Sequence, residues 1–150
     1  MTRTSAGILL FRRTPYGVEV FLIHPGGPFW AKKDSWSIPK GEYHFGEEPL
    51  AAARREFQEE TGSRVEGDFI PLGVIHQPSG KQVTAWAVEG DFDPATLVSN
   101  TCFVEWPLRT GRQIEVPEAD RGDWFPIQIA HKKIFRGQEH FLERLLAALR

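Results

Sequence analysis

A single cysteine, Cys102, stands in 150 residues, so no intrachain disulfide is possible. It sits in the apolar run Thr101-Cys102-Phe103-Val104 and reads as a buried, inert thiol. The histidines at 24, 44, 76, 131 and 140 are scattered, and none makes the close ligand pair that zinc would need. No stretch approaches the roughly 18 apolar residues of a membrane span. The apolar run from Ile8 to Phe11 is too short for the core of a signal peptide, so the expected compartment is the cytoplasm. Charge of one sign is not in excess either. With 18 basic and 20 acidic residues the net charge is −2, which predicts no bulk attraction to nucleic acid or to a membrane.

The remaining composition, 41% hydrophobic and 25% charged, is that of a globular protein with enough apolar residues for a core. There is no repeat, low-complexity tract or linker, so 1–150 reads as one domain, expected as a monomer or homodimer. Residues 4–12 and 18–24 read as strands joined by a turn at Pro15-Tyr16-Gly17. Residues 25–35 read as a loop, and Ser35-Trp36-Ser37-Ile38 as a short extended run stopped by Pro39. A helix is predicted from about Gly46 to Thr61, with Gly62 as its left-handed stop. Residues 69–77 and 82–89 are two further strands around Pro78-Ser79-Gly80, and 101–106 another. Residues 107–122, with two prolines and two glycines, read as a long loop before a short buried element at Trp124-Phe125. A helical pattern begins at Ile127, breaks at Gly137, and resumes through Phe141, Leu145, Leu146 and Leu149. Strands interleaved with one central and one terminal helical region imply an α/β/α sandwich around a mixed sheet.

The chemistry concentrates between Gly41 and Ser63. At about 100° per residue, Glu56, Glu59 and Glu60 share one face of the predicted helix, while Leu50, Ala53 and Phe57 form the neighbouring, sheet-packing face. Like charges at these spacings cost a few tenths of a kcal/mol per pair, which bound cations would offset. Three carboxylates beside Arg55, after a glycine turn, suit metal-assisted attack of water on a diphosphate.

This run resembles the Nudix box, G-x5-E-x7-R-E-U-x-E-E-x-G-U, in which U is apolar. Gly41, Glu47, Arg55, Glu56, Glu59, Glu60 and Gly62 match all its fixed positions, and Phe57 is the first apolar residue. Ser63 departs from the second, and Val65 is the candidate to take over its packing. The resemblance implies the Nudix fold and a Mg2+-dependent hydrolase, with Mn2+ as an alternative ion. It implies Glu56 and Glu60 as the strongest metal ligands, with Glu59 and the Gly41 carbonyl joining them. Arg55 would orient Glu56, and Glu47 would be mainly structural near the positive end of the helix.

Relatives in this family take their general base either from a box glutamate or from a later acid. Here Glu115, Glu118, Asp120 and Asp123 are available, and Glu118 stands where several relatives place a downstream metal-binding or basic acid. Lys40 abuts the box turn and is a candidate phosphate contact, as are Lys32, Lys33 and Lys81 on nearby loops. Trp36, Trp30 and Phe29 are candidates to stack on a base.

The lead-in Trp36-Ser37-Ile38-Pro39-Lys40-Gly41 is similar to that of Nudix enzymes acting on dinucleoside or diphosphoinositol polyphosphates. The tyrosine common beyond the box in the dinucleoside enzymes is replaced by Gly80-Lys81, and Pro78 lies at a spacing seen in ADP-ribose hydrolases. The expected partner is a small nucleoside diphosphate derivative, such as a dinucleoside polyphosphate or a nucleotide-sugar-like compound. A nucleoside triphosphate pyrophosphohydrolase and a non-catalytic ligand-binding regulator on the same fold are the alternatives.

Overall fold

The computed structural model describes residues 3–150. Strands β1 (Thr4–Thr14) and β2 (Gly17–Pro25) form a hairpin in which Thr14 faces Gly17. A long loop leads to the short strand β3 (Lys40–Glu42) and then to helix α1 (Pro49–Thr61). Strands β4 (Ile70–His76) and β5 (Gln82–Glu89) make a second hairpin, and β6 (Thr101–Glu105) pairs with β7 (Gln113–Pro117) in a separate two-stranded sheet. Strand β8 (Ala119–Pro126) runs straight into helix α2 (Ile127–Lys133), and helix α3 (Glu139–Ala148) follows.

The main sheet has the order β4-β5-β1-β2-β8, with β3 paired to β1 off this path. Strands β1 and β5 are parallel and the other pairs are antiparallel. Alternation along β1 divides the core between two faces. Ala6, Ile8 and Leu10 pack with Ala52, Ala53 and Phe57 of α1. Leu9 and Phe11 pack on the other face with Ala130 of α2 and Phe141, Leu142 and Leu145 of α3. The result is the α/β/α sandwich around a mixed sheet that the sequence pattern implies. Among the described residues, no helix is long and apolar enough to cross a membrane.

Helix α1 starts at Pro49, three residues later than the sequence pattern suggests. A proline disfavours helical geometry in the residue before it but suits the first helical position itself. Glu48 is accordingly extended, at φ −66° and ψ 131°, and Glu47 stands outside the helix. The helix ends as expected: Gly62 adopts φ 81° and its N–H donates to the Gln58 carbonyl at 2.8 Å. Ser63 leaves the apolar role open, and Val65 is buried in the same cluster as Phe57.

Residues 107–122 are not one long loop, because they contain β7 and the first half of β8. The proline and glycine signals there mark a strand end and a close approach. Pro117 ends β7, and Gly122 lies inside β8, where a Cβ would come within 2.4 Å of the Phe21 ring. Trp124 and Phe125 belong to that same strand.

Candidate active site

The first turns of α1 are tied to the sheet by Ala52, Ala53 and Phe57, which leaves Arg55, Glu56, Glu59 and Glu60 along one edge of the helix. Glu56 and Glu60 are 7% and 5% exposed, while Glu59 is half-buried. The corner between β7 and β8 brings Glu118 to the same edge. Glu56, Glu59 and Glu118 each offer an oxygen, and the three oxygens lie within 4.8 Å of one another. Glu60 falls outside this trio, yet Glu118 and Glu56 both act on it.

The Glu118 corner is fixed through its backbone. Its N–H donates to the Asn100 carbonyl at 2.8 Å, and its carbonyl accepts from the Gly26 N–H at 3.2 Å. The Ala119 N–H donates to Ser99 Oγ at 3.0 Å. The Asn100 N–H in turn donates to the Glu59 carbonyl at 2.7 Å, so the corner and the end of α1 share one connection. Ser99, Asn100 and Gly26 are site-building residues that no local sequence pattern singles out.

Arg55 organises the acids. Its Nε and Nη2 donate to the two oxygens of Glu47, at 2.9 and 3.1 Å. Its Nη1 donates to Glu56 at 2.9 Å and to Glu59 at 3.2 Å. The bond to Arg55 pulls the Glu47 carboxyl below its ordinary range. Gly41, on β3, is required by space. A Cβ there would sit 2.1 Å from the Glu56 carboxylate, so any other residue would displace it.

One fork-shaped cation does not balance this site. Burial, followed by the neighbouring Glu59 charge, pushes the Glu56 carboxyl up against the opposing pull of Arg55. Burial and Glu59 do the same to Glu118. Glu60 is pushed well up by burial first, then by Glu118 and Glu56, with Lys40 opposing. Lys40 itself is pushed down, chiefly by burial, with Lys81 adding to the effect and Glu60 countering it. The four carboxylates are therefore short of positive charge, and they present only oxygen donors. That donor set fits a hard divalent cation such as Mg2+ or Mn2+.

A stability effect follows from Glu60. Its folded-state pKa is raised, so the unfolded chain releases this proton first as pH rises above the ordinary glutamate value of about 4.3. The metal-free protein then loses stability as pH climbs towards the raised folded value. Glu60→Gln removes this penalty. In EDTA, its melting temperature relative to the wild type should rise progressively as pH climbs above the ordinary glutamate value of about 4.3. A difference that is flat or falls with pH would contradict the burial of this charge.

The other residues singled out by sequence fall in different places. Lys40 and Lys81 interact with each other, and Lys40 also with Glu60 and Glu56. Lys32 is exposed on the loop after β2 and is not among the charges that shift Glu56, Glu60 or Glu118. Trp36 is a correction. Its side chain is buried in the core on the α2 and α3 face, edge-on to Phe125 at 4.9 Å and to His24 at 5.2 Å, with Nε1 donating to Asp34. An indole committed to these contacts has no free face for a base.

Trp30 lies against Phe135 at 5.2 Å, and Phe29 is covered by the Lys33 ammonium at 3.6 Å. Cys102 also departs from expectation. It is half-buried rather than buried, and its thiol is pushed up by burial and by Glu118 and Glu60.

A family model described as NUDIX domain matches residues 1–145. An 8-oxo-(d)GTP phosphatase of Mycolicibacterium smegmatis is 40% identical over 107 residues, which are 62% of this chain and 32% of that protein. The chain thus matches about a third of that relative's length. Among solved structures, a C. elegans Ap4A hydrolase binary complex superposes with a TM-score of 0.70 at 20% identity, covering 97% of each chain. The NUDIX domain of Shewanella oneidensis NrtR, complexed with ADP ribose, gives 0.70 at 12% identity over 100% of this chain and 90% of that one. At these identities the two structures show a shared fold.

Proposed function

Because the chain belongs to the Nudix family, we propose that it is a Mg2+-dependent hydrolase of a diphosphate bond in a nucleoside diphosphate linked to another group. The observation that carries this reading is the convergence of Glu56, Glu59 and Glu118 within 4.8 Å, beside Glu60 and the Arg55 fork. Glu56, Glu59, Glu60 and Glu118, with the Gly41 carbonyl, are the residues that would hold the cation. When bound there, it would neutralise phosphate oxygens and acidify water.

The chain's own groups do the rest. Arg55 keeps Glu56 and Glu59 at fixed separation, and Glu47 keeps Arg55 in place. Lys40, which acts on Glu60 and Glu56, and Lys81, which acts on Lys40, would meet the phosphates of a substrate. A carboxylate takes the proton from the attacking water. Glu118 and Glu59 are the two candidates, because both are half-buried members of the trio and each is open to a neighbouring water.

The nucleoside part of the reading is supported by the Ap4A hydrolase and ADP ribose likenesses. A nucleoside triphosphate pyrophosphohydrolase is the second reading, favoured by the 40% identical relative named for 8-oxo-(d)GTP. A substrate panel with product identification separates them. A nucleoside diphosphate linked to a second group should be cleaved to two phosphorylated products. Release of pyrophosphate from nucleoside triphosphates alone would select the second reading.

A further inference from the structure

His24 is fully buried at the end of β2, and the chemistry described above makes no use of it. Its Nδ1 lies 2.9 Å from Asp120 Oδ1 and its Nε2 lies 2.6 Å from the Lys33 carbonyl. Both contacts fall where the sheet is irregular. Along the β2–β8 ladder His24 pairs with Arg121, but Pro25 pairs with Ala119, so the ladder passes over Asp120.

This extra residue is a β-bulge, and it changes which way the strand faces. Residues two apart normally share a face. Here Ala119 packs in the α1 layer, while the Arg121 guanidinium lies 5.2 Å from the ring of Trp36, in the opposite layer. Bulges of this kind re-aim side chains next to functional sites. Glu118 is two residues before the bulged Asp120, and its carbonyl is held by Gly26, on the same loop that His24 grips at Lys33.

We propose that His24 is a positioning residue that holds the Asp120 bulge and the loop of residues 26–33 together, and so sets Glu118 within reach of Glu56 and Glu59. Without the side-chain bond to Asp120, the unpaired residue keeps only the 3.4 Å contact from the neighbouring Arg121, and the register at the corner rests on its backbone bonds alone. A one-residue slip would then turn the start of β8 over and withdraw Glu118. This inference rests on Glu118 serving the cation site, as proposed above.

The test uses Mn2+ affinity of the metal-free full chain, read by titration, which needs no substrate. His24→Gln keeps a donor for the Lys33 carbonyl and gives up the Asp120 bond. It should weaken Mn2+ binding about 10- to 100-fold, as loss of an outer-shell partner does. His24→Asn, which keeps a donor facing Asp120, should lose less. The deciding comparison is a double-mutant cycle. If His24 acts through Glu118, then His24→Gln adds no further loss in a Glu118→Gln background. A general loss of folding would instead lower affinity equally in both backgrounds, and that result overturns the proposal, as does no loss in either. If Glu118→Gln alone leaves Mn2+ affinity unchanged, the assignment of Glu118 fails and the positioning role falls with it. If Glu118→Gln matters but the His24 effect persists without it, only the positioning role fails.

Discussion

Glu56→Gln should lower kcat by at least about 100-fold while the protein stays folded. Glu56 is the acid most constrained by its surroundings. Arg55 donates to it at 2.9 Å, Gly41 leaves space for it, and Glu59 and Glu118 approach it. Glutamine keeps the shape and the acceptor for Arg55, so the change isolates the charge. Glu56 is buried, at 7% exposure, and its carboxyl is raised rather than lowered by its environment. Thermal melting in EDTA should therefore be maintained or improved. Loss of activity together with loss of folding would mean that Glu56 is a structural ion-pair partner of Arg55. Near wild-type turnover would remove it from the site altogether.

The second large effect separates Glu118, at the corner between β7 and β8, from Glu115 on β7. Glu118→Gln should lower kcat by about 100- to 10,000-fold if Glu118 is the general base, with KM changed little. Glu115→Gln should be nearly silent. Glu115 lies on β7, is exposed, and accepts a hydrogen bond from Thr101 Oγ1 at 2.7 Å. Steady-state kinetics of the two variants side by side measure this. Equal, small effects would return the base to the helix, with Glu59 next in line.

The two acids also show how much of the site the sequence makes legible. The α1 acids are readable because helical periodicity is local. Residues three and four apart must share a face, and the apolar partners Ala53 and Phe57 say which face is buried. Glu118 is different. Nothing in its spacing distinguishes it from Glu115, and it enters through resemblance to the family. What places it are long-range bonds to Gly26, Ser99 and Asn100, together with the bulge at Asp120. Such pairings leave no periodic trace.

The misreadings have the same physical origin. Proline and glycine in 107–122 mark loops when they need special backbone angles, but Gly122 is there because the Phe21 ring needs its space. Trp36 reads as a base-stacking candidate beside the box turn. In the fold, its backbone N–H donates to the Lys133 carbonyl and its ring fills the core beside Phe125. The sandwich itself is legible because β1 alternates cleanly between the two helix layers.

The central claim is that the crowded carboxylates hold a divalent cation that hydrolysis requires. The most direct measurement is turnover of a nucleoside diphosphate linked to a second group, by protein stripped with EDTA and then titrated with Mg2+ or Mn2+. The account predicts no turnover in the stripped protein and full recovery on saturation, with recovery abolished in Glu56→Gln. Full turnover in metal-free buffer would contradict it.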